Sequence, residues 1–170
     1  AGDWLSPYDG VATSDRTRVD IDHVVALKEA WDSGAWAWTA AQRTAYANDT
    51  SDSRTLRATS AASNRSKSDK DPSNWLPPRA AFRCTYVAEW VAIKARWGLS
   101  MDESEFGRVR KLLNSECAGA LTAPLPPLPV AAPVAGPSIA AAPAAPSEAA
   151  PQATGEQVVQ AVHPGAWCSP

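Results

Sequence analysis

All sixteen lysines and arginines of this 170-residue chain lie between Arg16 and Lys111, and sixteen of its eighteen acids lie within the first 117 residues. Eleven of the fifteen prolines come after that point. From Ala118 to Glu156, 23 of 39 residues are Ala or Pro, and two glutamates are the only charges. Such a segment buries too little apolar surface to offset its ordering entropy, so residues 118–156 are expected to form a disordered, semi-rigid linker. A folded domain is thereby confined to residues 1–117. Residues 157–170, with Cys168, are expected to begin a small cysteine-containing module that this chain cuts short.

The 1–117 domain carries sixteen charges of each sign. No overall basicity draws it to nucleic acid, and any such binding has to come from a local patch. No stretch of 18 apolar residues is present, which excludes a membrane-spanning helix. Residue 1 is Ala and no leader is visible, so the chain is expected to be a processed product. Three cysteines, eight tryptophans and an Ala/Pro stalk favour a secreted, extracellular protein.

Turn chemistry opens the domain at Ser6-Pro7 and Asp9-Gly10. Val19 to Val25 reads as a strand, with Val19 and Ile21 on one face and Asp20 and Asp22 on the other. A helical stretch over 26–33 is closed by Gly34. A second helix starts at Thr39, where Thr39-Ala40-Ala41-Gln42 has capping-box spacing. Thr55 to Thr59 fits a short second strand, and Ser60 to Ser68 a helix that Asp71-Pro72 must stop. From Cys84 the pattern is helical, with Tyr86, Trp90, Ile93 and Trp97 on one face and Gly98 at the end. Ser100-Met101-Asp102-Glu103 predicts the cap of a last helix, with Phe106, Val109 and Leu113 inward. An antiparallel pairing of these two helices brings Cys84 beside Cys117. A disulfide there is expected to contribute roughly 3–4 kcal/mol, the alternative being two free thiols in a reducing compartment.

Catalytic chemistry has few candidates. Of the two histidines, His163 lies beyond the linker and His23 follows Asp22 at a strand end. Alone, an Asp-His pair reads as a hydrogen-bonded polar edge. Asn48 follows His23 by 25 residues in a turn, and Asn64 follows by a further 16 at a helix start. In this order, Val19-Asp20-Ile21-Asp22-His23-Val24-Val25, Ala47-Asn48-Asp49 and Asn64-Arg65-Ser66-Lys67-Ser68-Asp69 resemble the HNH endonucleases, the ββα-metal nucleases. Trp4 to Gly10, Glu29 to Ala35 and Asp71-Pro72-Ser73-Asn74-Trp75-Leu76-Pro77-Pro78 extend the likeness over about residues 4–117. It is most similar to the branch of the C-terminal nuclease domain of GmrSD-type restriction enzymes and to secreted actinobacterial HNH proteins. Asn64 stands where many HNH proteins have a histidine, and an upstream strand common in the secreted relatives is missing. Val162 to Pro170 similarly resembles the start of a cysteine-bearing terminal module.

The resemblance implies an α+β fold, with a ββα-metal core and flanking helices, and metal-dependent hydrolysis of DNA; RNA offers the same phosphodiester. His23 would be the general base, since a neutral imidazole, ordinarily of pKa near 6.5, accepts a proton from water at neutral pH. Asp22 and Asn64 would supply oxygens to one divalent cation. So open a ligand set suits Mg²⁺, or Mn²⁺, better than a closed Zn²⁺ site. Asn48 would fix the catalytic loop and orient the histidine. Lys67, one helical turn from Asn64, would contact phosphate, with Arg65 and Lys70 extending the positive patch. Trp31, Trp36, Trp38, Trp75, Trp90 and Trp97 can stack bases or sugars, although their spacing favours core packing. Two other readings stand beside this one. In the first, a secreted module grips wall polysaccharide through tryptophans and His23 is structural. In the second, a nucleic-acid-binding protein of this fold lacks turnover.

Overall fold

In the computed structural model, residues 2–118 are described. The linker over 118–156, beyond its first residue, and the terminal segment with His163, Trp167 and Cys168 lie outside the described residues.

Ser6-Pro7 and Asp9-Gly10 reverse the chain between two short antiparallel strands, β1 (Trp4–Leu5) and β2 (Ala12–Thr13). Gly10 takes the positive φ of 76° that this reversal requires. A 3₁₀ turn at Arg16–Arg18, capped by the Asp15 carboxylate, leads into β3 (Val19–His23). Then come the helix α1 (Leu27–Asp32), a 3₁₀ turn at Ala35–Ala37 and α2 (Ala40–Ala47). Gly34, at φ 124°, separates α1 from that turn. The Thr39–Gln42 capping box forms in both directions, so α2 starts where the sequence places it.

Strand β4 (Leu56–Ser60) pairs antiparallel with β3, with His23 opposite Leu56 and Val19 opposite Ser60. The chain turns directly from β4 into α3 (Ala61–Lys67), capped by the Ser60 hydroxyl. Strand β3, strand β4 and helix α3 thus form a ββα unit within a mixed α+β fold, in line with the fold class read from the sequence.

Helix α4 (Ala80–Trp97) begins four residues before Cys84, because Ala80, Ala81, Phe82 and Arg83 continue the helix back to the Pro77-Pro78 bend. Gly98 ends it in the left-handed conformation at φ 64°. In α5 (Glu103–Asn114) the cap is Asp102 rather than Ser100, and its carboxylate accepts from the Glu105 amide at 2.8 Å. Ser100 is engaged elsewhere, its amide and hydroxyl both donating to the Ser33 carbonyl. The inward face also differs from expectation. Glu105, Val109 and Leu112 are buried, whereas Phe106 is 53% exposed. A fully buried Lys94 accounts for this, pairing with Glu105 and with Glu29 of α1, each at 2.7 Å. Trp90 Nε1 donates to the same Glu105 carboxylate. A charged cluster therefore joins α1, α4 and α5 beside the expected inward contacts of Val109 and Leu113, and Phe106 alone of the three turns outward.

The rest of the core combines aromatic and aliphatic residues: Tyr8, Tyr46, Tyr86 and Trp90 are buried with Val24, Val25, Val87 and Ile93, and Trp38, Trp75 and Trp97 pack against them. Trp31 and Trp36 depart from the expectation of core packing, at 46% and 64% exposed. The Cys84–Cys117 disulfide is present and ties the start of α4 to the end of α5. Among the described residues no helix is long and apolar enough to cross a membrane.

Candidate active site

His23 closes β3, and its Nε2 lies 2.9 Å from the carbonyl oxygen of Ala47. Ala47 is the last residue of α2, and the final carbonyls of a helix have no partner within it. A carbonyl can only accept, so Nε2 carries the ring proton and Nδ1 of the neutral ring keeps its lone pair. The support is itself braced. The Tyr46 ring lies 6.1 Å from that of His23, and its hydroxyl donates to the Val25 carbonyl. The loop after α2 is clamped at buried Asp49, which accepts from Thr55 Oγ1 at 3.1 Å and Trp97 Nε1 at 3.3 Å, with the Arg96 guanidinium at 3.4 Å.

Asn48, expected to orient His23, caps α2, and its amide donates to the Thr44 carbonyl at 2.9 Å. The contact to the histidine comes from the main chain of the residue before it. No sequence signal marks a backbone carbonyl, because every residue has one.

Asp22 is buried, and both its oxygens are engaged: Oδ2 accepts from the Tyr8 hydroxyl at 2.6 Å and Oδ1 from Lys67 Nζ at 2.9 Å. Lys67 projects inward from α3 and is 0% exposed, with its ammonium also donating to the His23 carbonyl at 2.9 Å. Burial pushes the Asp22 carboxyl up and the Lys67 ammonium down, while their mutual attraction opposes both shifts. The lysine expected at a phosphate thus reaches no solvent; it holds the strand end that carries His23.

Asn64, on α3, donates its amide to Asp20 Oδ2 at 3.1 Å. Both residues are half-buried. Asp20 was not among the sequence candidates, although strand alternation already put it on the face of Asp22. The contact sets the Asn64 amide nitrogen at the Asp20 carboxylate, so the pair offers two oxygens of the kind hard divalent cations take only once the amide turns. Among the described residues no group of three His, Cys, Asp or Glu is placed to hold a metal ion.

Arg65 and Lys70 are exposed, as a surface patch requires. Lys70 folds back onto the Ser66 carbonyl at 2.8 Å, and Arg65 borders a cleft of about 260 Å³ with Arg18, an arginine the sequence left unmarked. The placement of α3 depends on the N-terminal hairpin. The Asp9 carboxylate accepts from the hydroxyls of Ser60 and Ser63, the latter at 2.7 Å, and from the Val11 amide at 3.1 Å.

Known proteins bear on this geometry. Residues 4–105 match the family model described as the C-terminal domain of GmrSD restriction endonucleases. An uncharacterized secreted protein of Arthroderma benhamiae is 40% identical over 115 residues, covering 68% of this chain. The aligned part spans 56% of that relative's length. No solved structure matches. With the family model covering the hairpin, the ββα unit and most of the helical layer, the chain belongs to the HNH-type family of the C-terminal domain of GmrSD restriction endonucleases.

Proposed function

We propose that this chain is a metal-dependent endonuclease that hydrolyses phosphodiester bonds of DNA, with His23 as general base. The observation that carries the reading is the His23 Nε2–Ala47 carbonyl bond, which reserves Nδ1 for accepting a proton. In the reaction Nδ1 removes a proton from water as the water oxygen bonds to phosphorus and the bond to the departing sugar oxygen breaks. The Nε2–Ala47 bond keeps the ring in one tautomer and one orientation while its charge rises. Asn64 and a β3 carboxylate would hold a divalent cation. Asp20 stands at the amide, whereas Asp22 would have to exchange a bond to Tyr8 or Lys67. Such a cation supplies charge neutralisation at the phosphate and the departing oxygen. Arg65 and Arg18 would meet neighbouring phosphates, which makes binding salt-sensitive and tolerant of sequence.

A secreted location fits the Cys84–Cys117 bridge and the description of the fungal relative. The deciding experiment is plasmid nicking with Mg²⁺ or Mn²⁺, with and without EDTA, beside His23→Ala. Metal-dependent nicking that falls roughly 10²- to 10⁴-fold in the variant is expected. DNA binding without nicking would point to a binding protein of this fold, and retention on wall material alone to a polysaccharide module.

A further inference from the structure

We propose that the apolar cleft between α1 and α2 seats an unpaired nucleobase beside the cleaved phosphate, making the substrate single-stranded or locally unpaired nucleic acid. The proposal rests on the endonuclease reading and gives it a substrate class.

The cleft holds about 320 Å³, within the range of about 300–1,000 Å³ usual for small-ligand pockets. Leu27, Trp31, Trp38, Arg43, Tyr46 and Ala47 are among its lining residues. Two of these, Leu27 and Trp31, leave about half their surface in solvent, at 50% and 46%. Yet Trp31 does not stand free. The Arg43 guanidinium lies 5.4 Å from its ring centroid, and Arg43 is itself anchored by a hydrogen bond to the Trp38 carbonyl. The guanidinium over one ring face thereby sets a positive charge against a flat apolar surface of the cleft lining. That combination fits a ligand with a π face and acceptor oxygens, close to anionic groups. A nucleobase flanked by phosphates has all three. A sugar would stack on Trp31 but bring no negative charge to Arg43.

Position gives the second argument. Tyr46 and Ala47 line the cleft and are also the residues that support His23, one by its ring and the other by its carbonyl. A base seated there lies across a single wall from the His23 ring, on its Nε2 side, so the strand attached to it would run past the ring toward Nδ1. In a duplex both faces of a base are covered by its neighbours. It enters such a cleft only by leaving the stack, a cost that a single strand does not carry.

The test uses the full chain in EDTA, which prevents turnover, and reads tryptophan quenching and anisotropy with a labelled oligothymidylate. The comparison probe is an all-abasic strand of equal length, with the same phosphates and no bases. Tighter binding of oligothymidylate by roughly tenfold is expected. Trp31→Ala should erase that difference while leaving abasic binding and Tm unchanged, and Trp31→Phe should restore most of it. Equal affinity for both strands, a difference that survives Trp31→Ala, or quenching by wall oligosaccharides instead would overturn the proposal. None of those results depends on cleavage. Metal-dependent nicking lost in His23→Ala, together with equal binding of the two strands, would remove the base seat and leave the nuclease reading standing. Base-dependent binding without any nicking would do the reverse.

Discussion

Lys67 and Asp22 form an ion pair sealed from solvent, Nζ to Oδ1 at 2.9 Å, and the same ammonium holds the carbonyl of His23. A lysine that lies between Arg65 and Lys70 in sequence thus stabilises the strand that carries the candidate base. Removing one partner of a buried pair strands the other without compensation. Lys67→Met is expected to destabilise the fold by about 3–5 kcal/mol in urea denaturation. A variant that kept its stability and lost only DNA affinity would return Lys67 to the phosphate.

Metal binding separates the two carboxylates of β3. Asn64→Ala and Asp20→Ala are each expected to weaken Mn²⁺ binding at least tenfold in calorimetric titration and to raise the metal concentration needed for nicking. Asp22→Asn should chiefly lower stability, since its oxygens already serve Tyr8 and Lys67. A larger loss of Mn²⁺ affinity in a folded Asp22→Asn would move the ligand from Asp20 to Asp22.

The disulfide is expected to bear on stability alone. Cys84, near the start of α4, and Cys117, just past the end of α5, close a sequence separation of 33 residues. Paired substitution to Ala is expected to cost about 3–4 kcal/mol, read as a fall in Tm, with nicking unchanged at temperatures where the variant stays folded. Loss of nicking in a fully folded variant would tie the bridge to the site.

Asp9 gives a pH signature. Burial raises its carboxyl, but hydrogen bonds from Ser60, Ser6, Ser63 and the Val11 amide outweigh this and bring it down to about 2 from the ordinary 3.8. A folded value below the unfolded one stabilises the fold above about pH 4, and that contribution disappears as pH falls through about 2. Because Asp9 anchors the start of α3, its protonation should loosen the helix that carries Asn64. Asp9→Asn is expected to flatten the fall in Tm between pH 4 and 2, the window set by these two values. An unchanged acid limb would contradict the assignment.

Much of the fold is readable from short-range chemistry. The Val19/Ile21 against Asp20/Asp22 alternation marks β3, the Thr39–Gln42 pair starts α2, and Gly34 and Gly98 end their segments, because each signal acts over a few residues. The ordered series from Asp22-His23 through Asn48 to Asn64 carried the family in the same way. Where a side chain points is a different matter. Phe106 faces outward because Glu105 is drawn in by Lys94 and Trp90, and Lys67 turns inward because Asp22 lies 45 positions earlier and buried. The support of His23 is the least visible of all. It is the main-chain carbonyl of Ala47, identical in kind to every other, and only the docking of the end of α2 against the end of β3 selects it.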